Sequence, residues 1–260
     1  MGPVKLVTDS SANAPPLTLC HENCQVLPIK FRIGNRLLED TPDAAEFLYM
    51  SIASGGPLAS SAPALLDYLG CLAAGDDLLF VTPAREFSAM HRAASMAAEI
   101  AGRPVEVVDS RTAGVATLLV ADATLSLLDA GADVTEAADG AREVAGRTEM
   151  AAALPGALPP GGDSPGPYRS LVRLRGGAAI ASPDDDGEVI ADPISRLRTE
   201  WLEDGGWNAD RTAVFHSGAP GLAAELAERL GCDAPVGRLS PALGQLAGLG
   251  SVGIAWTRRG

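Results

Sequence analysis

Apolar and polar positions alternate along the first half of the chain in short blocks. Lys5 to Thr8 (KLVT) is an apolar run ending in Asp9-Ser10-Ser11, which predicts a strand with a polar turn at its carboxyl end. Gln25 to Ile33 (QVLPIKFRI) alternates with period two and predicts one strand before a Gly34-Asn35 turn. Helical spacing follows over Asp43 to Ser51, after the start signal Thr41-Pro42. Pro57 to Ser61 predicts a loop. Ser61-Ala62-Pro63 then predicts the opening of a helix to about Leu72, with Ser61 as N-cap. Leu78 to Val81 and Val105 to Val108 are buried-type strands, and the latter ends in Asp109-Ser110. Glu86 to Ile100, Gly114 to Asp129 and Thr135 to Val144 read as helices.

Strands alternating with helices predict βαβ units around a parallel sheet. In such sheets ligands sit beyond the carboxyl ends of the strands. The turns holding Asp9, Ser10, Ser11, Thr82 and Asp109 are therefore the first candidates for a site.

The pattern shifts near residue 150. Leu154 to Tyr168 is rich in Pro and Gly and predicts neither helix nor strand. Beyond it, Leu171 to Leu174, Ala178 to Ile180, Arg211 to His216, Val236 to Leu239 and Val252 to Thr257 predict strands. Asp184 to Gly187 predicts a turn, and Ile194 to Leu202 and Gly221 to Leu230 predict helices. The fold expected is α/β in two domains. Residues 1–150 form a parallel-sheet domain and residues 151–260 a second α/β domain with a higher strand share.

Composition narrows the function. At 260 residues the chain can bury a core without disulfide or metal staples. Its net charge of −13 argues against general nucleic-acid binding. The most apolar stretch, Gly114 to Ala132, carries Asp122 and Asp129, so no integral membrane segment is expected. No secretory signal is visible at the amino terminus, and the four cysteines are read as free thiols in a bacterial cytoplasm.

Several motifs have bland readings. Gly248 to Gly253 matches G-x-G-x-x-G, but a strand follows it where a nucleotide site needs a helix, so a glycine-rich turn is expected. Cys20-His21-Glu22-Asn23-Cys24 lacks a second ligand pair, so no metal and no cofactor are expected. His216-Ser217-Gly218 lacks the G-x-S-x-G elbow of a hydrolase. His91, on a predicted helix, reads as an ordinary surface or half-buried residue. Ser60-Ser61 and Ser88 sit near helix starts. They are either N-caps or, with the free helical N–H groups, donors to an anion.

In order and spacing these pieces resemble the DegV family of bacterial fatty-acid-binding proteins. KLVTDSSAN (Lys5 to Asn13) is similar to the family's opening T-D-S-[ST]. VLPIKFRIGN with Asp40 resembles its second element. Ser60-Ser61-Ala62-Pro63 is similar to T-S-Q-P, VTPAREFSAM (Val81 to Met90) to the segment ending in L-S-G-T, and VEVVDSR (Val105 to Arg111) to V-x-V-[IV]-D-S-[RK]. Asp186 to Val189, Arg198-Thr199 and LAGLGSVG (Leu246 to Gly253) resemble later motifs.

The resemblance implies an acyl chain buried between or within two α/β domains. It implies a carboxylate held by Ser60, Ser61, Ser88 and the Ala89 N–H, with Asp9, Ser10, Ser11, Thr82, His91, Asp109, Leu246, Gly248 and Gly250 as further lining. It also implies a separate fatty acid kinase as partner. Leu246 stands where the family has a histidine, Ala89-Met90 where it has G-T, and Ala62 where it has Q. The Pro/Gly-rich stretch replaces its G-G-R-I.

Three readings follow. The first is an acyl-ligand carrier without catalysis of its own. The second is a divergent member recruited as an enzyme or accessory protein in specialised metabolism. The third is a structural partner with no ligand.

Overall fold

The computed structural model describes residues 4–12, 21–55, 58–72, 77–156, 167–181 and 189–260. In chain order, β1 (Val4–Asp9) runs into a 3-10 turn (Ser10–Ala12), then come β2 (Cys24–Leu27), β3 (Lys30–Ile33) and β4 (Arg36–Glu39). α1 (Pro42–Ala53), β5 (Leu58–Ser61), α2 (Leu65–Cys71), β6 (Asp77–Thr82), α3 (Ala89–Ile100), β7 (Val105–Asp109), α4 (Val115–Asp129) and α5 (Val134–Arg147) follow. The remainder is β8 (Thr148–Pro155), β9 (Tyr168–Arg175), β10 (Ala178–Ala181), α6 (Pro193–Glu203), β11 (Ala209–His216), α7 (Pro220–Leu230), β12 (Val236–Arg238), α8 (Pro241–Ala247) and β13 (Val252–Arg258).

Three sheets result. The first is parallel, in the order β2-β1-β6-β7. The second is mostly antiparallel, in the order β10-β9-β8-β13-β11-β12, with β11 and β12 parallel. A small antiparallel sheet, β4-β3-β5, sits beside them. The chain is thus mixed α/β, with a parallel sheet first and a second α/β unit after it.

α4 joins the two large sheets. Between Val115 and Leu125 only Asp122 reaches solvent, where it meets Arg211 Nε at 3.1 Å. One side, with Val120, Ala121 and Leu125, packs on Leu6, Leu79 and Val81 of the first sheet. The other, with Val115, Leu118 and Leu119, packs on Ala152, Ala213, Phe215 and Ala255 of the second. A helix apolar on nearly all sides is what such a position demands. The alanines on the second sheet let the helix approach closely.

Four sequence expectations need correction. Gln25 to Ile33 is two strands in two sheets, because the chain breaks at Pro28-Ile29, where a proline cannot donate to a ladder. Residues 58–61 are not loop but strand β5, paired with β3 from Lys30↔Ser61 to Ile33↔Leu58. The following helix starts at Leu65 rather than at Ser61, since Pro63 biases Ala62 to extended backbone. The Asp67 carboxylate accepts from Ala64 N–H at 2.7 Å and supplies the start signal. α3 begins at Ala89, not Glu86, with Ser88 as its N-cap.

β8 and α8 were not expected. The Asp184 to Gly187 turn, Cys20, Asn13 and residues 157–166 of the Pro/Gly-rich stretch lie outside the described residues.

Candidate functional site: an apolar cavity with a serine cluster

The order β2-β1-β6-β7 reverses direction between β1 and β6, so a crevice opens beyond their carboxyl ends. The 3-10 turn after β1 and Pro83 after β6 border a cavity of about 400 Å³ there. That volume lies within the ~300–1,000 Å³ range of small-molecule sites. Ile29, Ala62, Phe87, Met90 and Ala113 line it from the first unit. Leu174 and Ala179 of the β9–β10 hairpin, with Ala242, Leu243 and Leu246 of α8, close it from the second.

Its polar lining consists of hydroxyl residues, Ser11, Ser60, Ser61 and Ser88, beside the amino-terminal end of α3. The described lining contains no Lys, Arg, His, Asp or Glu. Ser88 Oγ accepts from Met90 N–H at 3.2 Å, which leaves its proton free to donate. The Ala89 N–H stands in the first turn of α3, where no preceding turn can satisfy it. Ser60 and Ser61 reach the cavity from the end of β5, opposite Phe31 and Lys30. They are therefore strand hydroxyls, and the helix-start reading of this pair does not hold. Ser61 Oγ lies 3.5 Å from the Lys30 carbonyl. Phe87 and Leu246 remain largely exposed and give the cavity an apolar rim.

The other expected lining residues fall elsewhere. Asp9 is fully buried and accepts from the Ser11 N–H at 2.9 Å, and burial lifts its pKa to about 6. Ser10 donates to Asp40 at 2.8 Å and accepts from Ile29 N–H at 3.0 Å. Burial, with the Asp9 charge adding to it, lifts Asp40 to about 6 against the Ser10 hydrogen bond. Thr82 Oγ1 meets His91 Nδ1 at 3.0 Å. Asp109 accepts from Arg111 N–H at 2.8 Å, and Arg111 Nη2 in turn donates to the Gly176 carbonyl at the β9–β10 turn. These groups hold the walls in place and do not face the cavity.

Gly248 and Gly250 form a locked turn between α8 and β13, both with positive φ. Ser217 and Ser251 hydroxyls bond the Gly248 carbonyl, and Tyr168 OH donates to the Gly250 carbonyl at 2.6 Å. Ser217 is thereby buried and engaged in holding this turn. His21 Nε2 pairs with Asp129 at 3.1 Å. Among the described residues no group of three or more His, Cys, Asp or Glu could hold a metal ion.

Of the second unit's lining residues, Leu246 was expected, whereas Leu174, Ala179, Ala242 and Leu243 were not. α8 did carry signals: Ser240-Pro241 at its start, with Ser240 Oγ accepting from Leu243 N–H, and Gly248 at its end. Leu174 and Ala179 carried none, because only the hairpin's docking brings them here.

The chain is thus a two-unit α/β protein with an apolar, hydroxyl-edged cavity at the switch point of its parallel sheet. The family description "uncharacterised protein, DegV family" matches residues 3–155, and the chain belongs to the DegV family. It is 27% identical over 286 residues to a DegV domain-containing protein of Streptomyces coelicolor, covering 98% of this chain and 99% of the other. A Thermotoga maritima protein whose structure is described as revealing a fatty acid binding function superposes with a TM-score of 0.83 at 19% identity, over 100% of both chains. The fatty acid kinase B3 protein of Streptococcus pneumoniae, loaded with linoleic acid, gives 0.80 at 15% identity, over 98% of this chain and 99% of that one. Among the described residues no helix is long and apolar enough to cross a membrane.

Proposed function

We propose that the protein binds a fatty acid or related acyl ligand and presents its carboxylate to a separate acyl-using enzyme, such as a fatty acid kinase. The cavity carries this reading, because its walls are apolar and its polar side chains are the hydroxyls of Ser11, Ser60, Ser61 and Ser88, the last at the start of α3. A chain of about sixteen carbons offers roughly 10 kcal/mol at ~0.8 kcal/mol per buried CH₂, before ordering costs. Ser60, Ser61, Ser88 and the Ala89 N–H would hold the carboxylate, with the α3 dipole favouring the anion. Residues 1–150 would supply the headgroup and residues 151–260 would complete the acyl pocket. The described wall offers hydroxyls and carbon rather than acids and bases, which favours carriage over catalysis. A cytoplasmic setting suits the free thiols of Cys71 and Cys232.

Calorimetric titration with palmitate tests this. One equivalent should bind to the native chain, and Ala242→Phe, which fills the cavity, should abolish binding. Failure of palmitate and oleate to bind, or unchanged binding by the filled variant, would refute the reading.

A further inference from the structure

A second pocket, of about 240 Å³, lies between α1 and the β12–α8 segment. Ala45, Glu46 and Tyr49 form one wall, Arg238 and Pro241 the other, and Asp40 the floor. We propose that it is a binding site for a small organic cation, a primary amine or guanidine with an apolar body. At ~30 Å³ per water-sized group the volume suits about eight non-hydrogen atoms.

The buried carboxylate of this pocket has no basic partner among the described residues. Asp40 is nine-tenths buried and makes no ion pair with a basic group among the described residues. Its Oδ2 accepts from Ser10 at 2.8 Å and the Ser240 hydroxyl stands beside it, both neutral donors. The Tyr49 hydroxyl commits its proton to the Leu239 carbonyl at 2.6 Å, and its oxygen faces the Arg238 guanidinium. Arg238 is already engaged: its guanidinium stacks 3.6 Å from the Tyr49 ring centre and donates to Glu46 at 2.8 Å.

Glu46 and Arg238 cancel, which leaves one carboxylate in excess, and Thr41 adds a hydroxyl that can act either way. A bound ammonium or guanidinium would supply the positive charge that Asp40 lacks, and charge-assisted bonds of this kind are the strong ones. Pro241, Ala45 and the Tyr49 ring would hold its apolar part. This pocket and the acyl cavity share α8 as a partition, with Ser240 and Pro241 facing one and Ala242, Leu243 and Leu246 the other. The inference does not depend on what the larger cavity binds.

Calorimetric titration of the full chain with benzylamine, benzyl alcohol and benzoate tests it. Benzylamine should bind at one site, and benzyl alcohol at least about ten-fold more weakly, because it cannot pair with a carboxylate. Benzoate should not bind. Asp40→Asn should lower the benzylamine affinity by about ten-fold or more. Ala45→Phe, which leaves Asp40 in place and fills the pocket, should abolish it while palmitate titration stays as in the parent. No benzylamine heat, equal binding of the alcohol, or unchanged affinity in a folded Asp40→Asn or Ala45→Phe chain would overturn the proposal.

Discussion

Asp9 and Asp40 are the two residues whose titration the fold alters most plainly within the ordinary pH range. Both carboxyls rise from the ordinary 3.8 to about 6, chiefly through burial. The folded chain therefore holds these protons more tightly than the unfolded one. Stability should fall as pH rises from about 4 through about 6, and the loss is complete above that. Because the two charges interact, they titrate as a pair. Urea denaturation at pH 5 and pH 7 should show a contribution on the order of 1–3 kcal/mol from this pair, favouring pH 5. Asp9→Asn keeps an oxygen for the Ser11 N–H and should reduce that difference. His216, buried and with its pKa lowered by burial and by Arg238, acts in the opposite direction, but it does so in both chains and cancels in the comparison.

Among the serines, Ser60→Ala should weaken palmitate binding by about ten-fold, the value of a hydrogen bond to a charged group. Ser88→Ala should do the same and also lower stability by about 1 kcal/mol, since Ser88 caps α3. A calorimetric and denaturation pair on each variant separates the two effects. Ser60, Ser61 and Ser88 were legible as candidates from their motifs. That Asp9, Ser10 and Asp109 brace the turns instead of facing the cavity was not legible, because side-chain direction after a strand depends on the turn's hydrogen bonds.

At the scale of elements, α4 is the part on which both sheets depend. Leu119 is buried in the cluster that joins α4 to the second sheet. Leu119→Ala should cost about 2–5 kcal/mol in urea denaturation, as for buried leucines in general. A loss below about 1 kcal/mol would mean that the sheets hold together without this helix. The apolar run that makes α4 was visible in the sequence, as were most strands of the parallel sheet. β5 was not, because LASS carries little strand propensity and forms only through its pairing with β3. β8 was hidden by its small residues, TEMAAALP, of which Ala152 packs against α4 while Ala151 and Ala153 pack on the opposite face with Leu197 and Leu226.

For the whole molecule, the switch point between β1 and β6 follows from sheet order, and the parallel sheet itself was legible from the alternation of strands and helices. The cavity was not legible from the strand and helix pattern, since about a third of its wall arrives from the β9–β10 hairpin and α8, far along the chain. Its apolar wall and serine cluster are the reason for reading this DegV family member as an acyl carrier. Native mass spectrometry of the purified protein, followed by solvent extraction of the bound material, tests that reading most directly. The account predicts one fatty acid or closely related acyl molecule per chain, lost in the cavity-filling Ala242→Phe variant. A chain that is empty and stays empty on incubation with fatty acids, or one carrying a ligand without an acyl chain, would contradict it.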